Sequence, residues 1–223
     1  MKARGVTGSL FDEAAVETPR SRETLAPGAV LLRGFALDVE KELRKALDRI
    51  GAQAPFRHMI TPGGHRMSVA MTNCGDLGWI TDRRGYRYDA LDPDSRKPWP
   101  KMPVVFLGLA VTAATEAGYR GFVPDACLVN RYEPGARLSL HQDRNEKDFT
   151  APIVSVSLGL PAIFLFGGDE RGDRPRRVPI HHGDVAVWGG PSRLAFHGIA
   201  PLKDGEHHAM GRQRINLTLR RAR

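Results

Sequence analysis

The stretch from Gly118 onward constrains the fold more than any other part of the chain. Short strand-like runs alternate there with glycine and proline, at 126–132, 153–158, 163–166, 184–188, 195–199 and 214–220. Runs this short, bounded by turn residues, suit the antiparallel strands of a sandwich or barrel. Two helical patterns precede them. Leu43, Leu47 and Ile50 fall at i, i+4 and i+7 after Asp38, which suits a helix start, and Gly51 suits its stop. Pro103 opens the second, with Phe106, Leu109, Ala110, Ala113 and Ala117 on one stripe before Gly118. Residues 55–103 read mostly as hairpins and loops around the alternating Met67-Ser-Val-Ala-Met71, and Trp79, Tyr86, Tyr88 and Trp99 argue against disorder there. The polar residues 1–24 are expected to be a mobile tail and 25–223 one domain. The expected class is mainly β with flanking helices (α+β), a jelly roll with the N-terminal helices packed on one sheet.

Composition narrows the function classes. No apolar run approaches a membrane span, and the first fifteen residues lack the apolar core of a secretory signal. Two cysteines, Cys74 and Cys127, make neither a disulfide framework nor a zinc cluster and fit a reducing cytoplasm. Lysine and arginine number 33 against 25 acids, a net charge of +8. That balance points weakly to an anionic partner such as nucleic acid. A monomer is the default expectation.

Two segments carry chemistry. In Leu138-Ser-Leu-His141-Gln-Asp143, His141 and Asp143 sit at i and i+2, so on a strand both face one side. An imidazole and a carboxylate there need one more histidine to make the two-histidine, one-carboxylate set of non-haem Fe(II) oxygenases, which leaves positions open for a cosubstrate and dioxygen. Among His58, His65, His181, His182, His197, His207 and His208, we choose His197. It lies on a strand end, which is expected to pair with 184–188 in a hairpin across Gly189-Gly190-Pro191. The second segment is Arg214-Ile-Asn216-Leu-Thr218-Leu-Arg220. Its polar members share one face with two arginines and no acid, a surface suited to a dicarboxylate. Asn130 and Tyr132, also at i and i+2, can add hydrogen bonds from a neighbouring strand. Arg214 and Arg220 are about 20 Å apart at strand rise, which implies one arginine at each end of the ligand.

These residues resemble the AlkB family of Fe(II)/2-oxoglutarate-dependent nucleic-acid dealkylases. The resemblance extends to Thr61-Pro-Gly-Gly64, Met67-Ser-Val-Ala-Met-Thr-Asn-Cys74, Leu77-Gly-Trp79, Asn130-Arg-Tyr132, Pro152-Ile-Val-Ser-Val-Ser-Leu-Gly-Leu-Pro161 and Gly183-Asp184, and spans residues 25 to 221. It implies a double-stranded β-helix with Fe(II) on His141, Asp143 and His197. It further implies 2-oxoglutarate contacts from Asn130, Tyr132, Arg214, Asn216 and Arg220, with Arg214 on the far carboxylate. Trp79, Tyr86, Tyr88, Asn145 and Arg171 fall where the family contacts the nucleotide, and residues 57–90 correspond to its nucleotide-recognition lid. Asn145 is a departure, because the family's bacterial prototype has an aspartate there. The implied reaction uses O2 to demethylate N-alkylated bases such as 1-methyladenine and 3-methylcytosine in DNA, with single strands preferred, and in RNA. It releases formaldehyde, succinate and CO2. The alternative is a 2-oxoglutarate-dependent hydroxylase of a protein or small molecule.

Overall fold

The computed structural model describes residues 20–223. In chain order its first six strands are β1 (Arg22–Ala26), β2 (Ala29–Leu32), β3 (Arg57–Ile60), β4 (Arg66–Gly75), β5 (Gly78–Asp82) and β6 (Gly85–Asp89). Then come β7 (Ala126–Tyr132), β8 (Leu138–His141), β9 (Ile153–Gly159) and β10 (Ala162–Phe166). The last are β11 (Arg176–Ile180), β12 (Val185–Trp188), β13 (His197–Ile199) and β14 (Arg214–Arg220). Two helices, α1 (Glu40–Gln53) and α2 (Val104–Glu116), interrupt the series.

The strands build two facing layers. The larger sheet runs β1-β2-β12-β9-β14-β7-β4-β3, the smaller β11-β10-β13-β8, and β5-β6 is a separate two-stranded ribbon. The expected jelly roll with helices on one sheet is the fold observed. Both helices cover the outer face of the larger sheet, where Leu43, Ala46, Leu47, Ile50, Phe106, Ala110 and Ala113 join Val129, Val154, Val156, Leu217 and Leu219 in one core. A second core between the sheets holds Tyr132, Ile153, Phe164, Phe166, Trp188 and Ile199. Strand alternation supplies both, since neighbouring residues of β14 and β9 point to opposite faces.

Four expectations need correction. The tail boundary at residue 24 is wrong, because β1 occupies Arg22–Ala26 and pairs with β2. Ala26-Pro27-Gly28 is a hairpin turn rather than the end of a tail. Proline presets its first corner and Gly28 takes φ +75°, where a side chain would also meet the Gly189 carbonyl at 2.5 Å. Residues 1–19 of the expected tail lie outside the described residues. Asp38 does not cap α1; it sits in a 3-10 turn (Leu37–Val39), and the helix then runs past Gly51 to Gln53. Residues 55–103, expected mostly as hairpins and loops around a strand at 67–71, hold four strands, and that run lies inside the longer β4.

Finally, His197 makes no hairpin with 184–188. β12 belongs to the larger sheet, between β2 and β9, and β13 belongs to the smaller, between β10 and β8. The segment Gly190–Ser192 is a 3-10 turn that carries the chain from one layer to the other.

Candidate metal and cosubstrate site

His197 owes its place to a long-range ladder. β13 pairs antiparallel with β8, and His141 and His197 are register partners, their ring centroids 4.4 Å apart. Gly198 permits this approach, since a Cβ there would lie 2.6 Å from the Leu138 carbonyl oxygen. β8 ends at His141, so Asp143 stands in irregular chain rather than on the strand. Its position is fixed by two arginines. Arg193 donates to its backbone carbonyl at 3.0 Å, and Arg220 donates through Nε to its carboxylate at 2.9 Å.

The three side chains converge. One candidate ligand atom from each of His141, Asp143 and His197 lies within 4.8 Å of the others. The Nε2 atoms are 3.8 Å (His141) and 3.7 Å (His197) from the Asp143 carboxylate. Each Nδ1 lies against the carbonyl two residues earlier, that of Ser139 at 2.9 Å and that of Ala195 at 3.0 Å. A carbonyl only accepts, so Nδ1 carries a proton and, in the neutral tautomer, the Nε2 lone pair faces Asp143. Burial, and then the neighbouring His141, lowers the His197 pKa to about 4. Burial alone would raise the Asp143 carboxyl, but the Arg220 guanidinium outweighs it and holds the group well below the usual carboxylate range. Two imidazole Nε2 atoms and an ionised carboxylate on one face are a fitting donor set for Fe(II).

Beside them lies a polar strip across β14 and β7. Asn216 is opposite Asn130 and Arg214 opposite Tyr132 in the ladder. β14 is a central strand, buried along its whole length. Asn130 donates to the Asn216 oxygen at 3.1 Å, Thr218 donates to the same oxygen at 3.0 Å, and Asn216 donates to Ser155 at 2.8 Å. Arg214 donates through Nε to the Ser157 hydroxyl at 3.0 Å, with its guanidinium 4.9 Å from the Tyr132 ring. Its NH1, and the Asn130 oxygen, are buried with no partner among the described residues. Burial lowers the Arg214 pKa, only partly offset by Tyr132. A buried guanidinium without an acid suits an incoming carboxylate such as the far end of 2-oxoglutarate.

Arg220 is in a different state. Its NH2 meets the Asp143 carboxylate at 2.7 Å, its NH1 donates to the Tyr88 hydroxyl at 3.3 Å, and Glu146 lies 3.6 Å away. Tyr88 donates in turn to Glu146 at 2.5 Å, and Arg193 meets the other Glu146 oxygen at 3.1 Å.

A cavity of about 870 Å³ joins the metal trio and the polar strip to the surface. Trp79, Tyr86, Asn145 and Arg171 line it, as the nucleotide reading expects; Tyr88 does not, being turned back onto Glu146 and Arg220. Trp79 stacks on Tyr86 at 5.7 Å, and its indole N–H donates to the Asn145 oxygen at 3.0 Å. Arg171 lies 5.4 Å from the Phe196 ring. Trp188 is buried and also walls the cavity beside His197.

Sequence reading missed Ser155, Ser157, Glu146 and Arg193. The two serines alternate with Val154, Val156 and Leu158, a period-two signal that could have found them. On a strand Glu146 would face away from Asn145 and the cavity, but residues 142–147 are not a strand and it is buried in the arginine network. Arg193 gives no local signal, as its partners come from residues 143–151.

Comparison with known proteins agrees with this arrangement. A family profile described as the 2OG-Fe(II) oxygenase superfamily matches residues 28–220. The Escherichia coli alpha-ketoglutarate-dependent dioxygenase AlkB is 59% identical over 201 residues, covering 90% of this chain and 93% of that protein. The Salmonella typhimurium protein of the same name is 56% identical over 213 residues, covering 96% and 98%. The solved structure of OsALKBH1 superposes with a TM-score of 0.78 at 29% identity, covering 90% of this chain and 100% of that one. With a jelly roll, two histidines and a carboxylate at the mouth of the cavity and a vacant arginine within it, the chain belongs to the 2OG-Fe(II) oxygenase superfamily and, within it, to the AlkB dioxygenases.

Proposed function

We propose that this protein demethylates N-alkylated bases, 1-methyladenine and 3-methylcytosine among them, in DNA and RNA. The reaction converts the N-methyl group, 2-oxoglutarate and O2 to the free N–H, formaldehyde, succinate and CO2. The observation that carries the reading is that one cavity holds a metal trio, a buried arginine whose NH1 has no partner among the described residues, and a stacked aromatic pair. Bound Fe(II) supplies the activation of dioxygen and the oxidation of the methyl carbon.

The chain's own residues do the rest. His141, Asp143 and His197 hold the metal, with Arg193 bonding the Asp143 backbone carbonyl and Arg220 its carboxylate. Arg214 takes the far carboxylate of 2-oxoglutarate, with Asn130, Tyr132 and Asn216 around it, and Arg220 stands at the metal-side end. Trp79 and Tyr86 offer aromatic faces to a base drawn out of its stack, which costs least for a damaged or unpaired base. Arg66, Arg137, Arg144 and Arg171, all on the cavity lining, supply cations for the phosphates. Single-stranded substrate, a monomer and a cytoplasmic site of action complete the reading. The absence of any helix long and apolar enough to cross a membrane among the described residues is compatible with it.

The test is release of succinate and formaldehyde from methylated oligonucleotides, in step with loss of the lesion. Binding of the oligonucleotide should weaken steeply with salt. Salt-independent binding, with succinate formed only from a protein or small-molecule substrate, would support a hydroxylase instead.

A further inference from the structure

Arg131 stands between Asn130 and Tyr132 on β7, so its side chain leaves the sheet on the opposite face from theirs. Its ladder partner Ile215 lies likewise between Arg214 and Asn216, and packs in the core under the helices. On that outer face a second cavity of about 520 Å³ opens beside α1. It shares no lining residue with the cavity of the metal trio. Leu47, Phe56, Met210 and Ile215 give it apolar walls, and Arg44 and Arg131 give it two cations. Asp48 is the single acid on its lining, and Arg44 also reaches Glu40, at 3.4 Å. The Arg131 Nε is buried and has no hydrogen-bond partner among the described residues. The flat face of its guanidinium rests on the Phe56 ring, with the central carbon 4.8 Å from the ring centroid. That contact serves the face of the group and leaves its Nε–H unmet. An unmet buried donor costs free energy, which a ligand bringing an acceptor restores.

The chemistry of the lining selects the ligand. A guanidinium fork matches the two oxygens of a carboxylate. Phosphate matches the fork too, but its remaining oxygens would meet aliphatic and aromatic carbon, and its second charge would face Asp48. We propose that this cavity binds a monocarboxylate with an apolar body, its carboxylate on Arg131 and its hydrocarbon against Leu47, Phe56, Met210 and Ile215. The site is distinct from the 2-oxoglutarate pocket, which lies on the other face of the same two strands. Gly51 keeps the space open. It lines the cavity from within α1, where glycine weakens a helix, and the nearest atom an added Cβ meets beyond its own helix belongs to the Phe56 ring, at 3.7 Å.

The experiment titrates octanoate by calorimetry into the full-length, iron-loaded protein, saturated with 2-oxoglutarate under nitrogen. Inorganic phosphate is a charge without an apolar body, and octanol is the body without the charge; both are titrated alongside. Octanoate should bind at one site, about tenfold more tightly than either. Arg131→Met should weaken it about tenfold, and Arg131→Lys, which keeps the charge and loses the fork, about threefold. Gly51→Leu leaves Arg131 in place and fills the cavity. It should abolish octanoate binding while 2-oxoglutarate binding and the circular dichroism spectrum stay unchanged. Absence of octanoate binding overturns the proposal, as does equal binding in Gly51→Leu or in both Arg131 variants. Displacement of octanoate by excess 2-oxoglutarate would place it in the cosubstrate pocket and also overturns the proposal. Phosphate binding as tightly as octanoate, or displacement of octanoate by an oligonucleotide, would make the cavity a phosphate contact and overturns it as well.

Discussion

Arg214 and Arg220 stand on the same face of β14, six positions apart, and both are almost wholly buried. Arg220 is saturated by Asp143, Tyr88 and Glu146; these acids hold its guanidinium charged against the cost of its burial. Arg214 has a hydroxyl, an aromatic face and an empty NH1. An arginine that already has its acids supports the structure around it. One buried without them is a cost to the ligand-free fold that an incoming anion offsets, so the vacant end marks the cosubstrate site and the filled end braces the metal site.

The contrast can be broken most severely at the filled end. Asp143→Ala removes a metal ligand and one of Arg220's acids together. Turnover should fall to background and iron should no longer bind; unfolding free energy should drop by about 3 kcal/mol, read by denaturant titration. Arg220→Met leaves Asp143 and Glu146 short of a cation and should destabilise the ligand-free protein by about 2–3 kcal/mol. Arg214→Met is the sharpening case. It removes a buried charge without an acid, so the ligand-free protein should be more stable by about 1 kcal/mol, while the thermal shift on adding 2-oxoglutarate disappears. If both methionine variants destabilise equally, the two arginines do not differ in kind.

The smallest effect lies behind the vacant end. Gly159 is the ladder partner of Arg214, and its N–H donates to the His182 ring at 2.9 Å. Burial, then the stacked His207, lowers the His182 pKa to about 4. The folded state thus keeps the ring neutral while an unfolded chain protonates it near 6.5. Between those values the unfolded state binds more protons, so stability is lost as pH falls from 6.5 towards 4 and the contribution is constant below. His182→Gln should make the loss between pH 7 and pH 5 smaller by about 1 kcal/mol, a figure already reduced for partial exposure. An identical pH profile in the variant would remove His182 from this account.

How much could be read in advance depended on whether the cause was local. The alternation of β14 and β7 fixes which side chains share the cavity face, so Asn130, Tyr132, Arg214 and Asn216 were legible from spacing alone. His141 and Asp143 were legible as a pair, although for the wrong reason: Asp143 converges because arginines hold it beyond the strand end. His197 was found on the strand expected, but its ladder partner was not. Nearness in sequence favoured a hairpin with 184–188, whereas the glycines and proline at 189–191 redirect the chain into the other sheet. Arg193, Glu146 and the inward turn of Tyr88 depend on contacts between distant segments and leave no periodic trace. Tyr88 was placed among the base contacts by resemblance; in the structure its hydroxyl belongs to the bracing network.

Among the described residues the ribbon β5-β6 closes its ladder on itself and shares no strand pairing with either large sheet. It is fastened by side chains instead, through Asn73, which bonds the Trp79 backbone on both sides, and through Trp99, which donates to the Asp89 carbonyl. Register errors in such an attachment do not propagate, because no core strand is aligned by it. Mutations on the ribbon's outer face can accumulate without shifting the metal trio by a single ladder position. What the protein recognises can therefore drift under selection while the oxidative chemistry stays fixed, and exchanging residues 78–87 between relatives, with Ile80 kept for the core and Tyr88 for its bonds to Glu146 and Arg220, is a graft the core should tolerate.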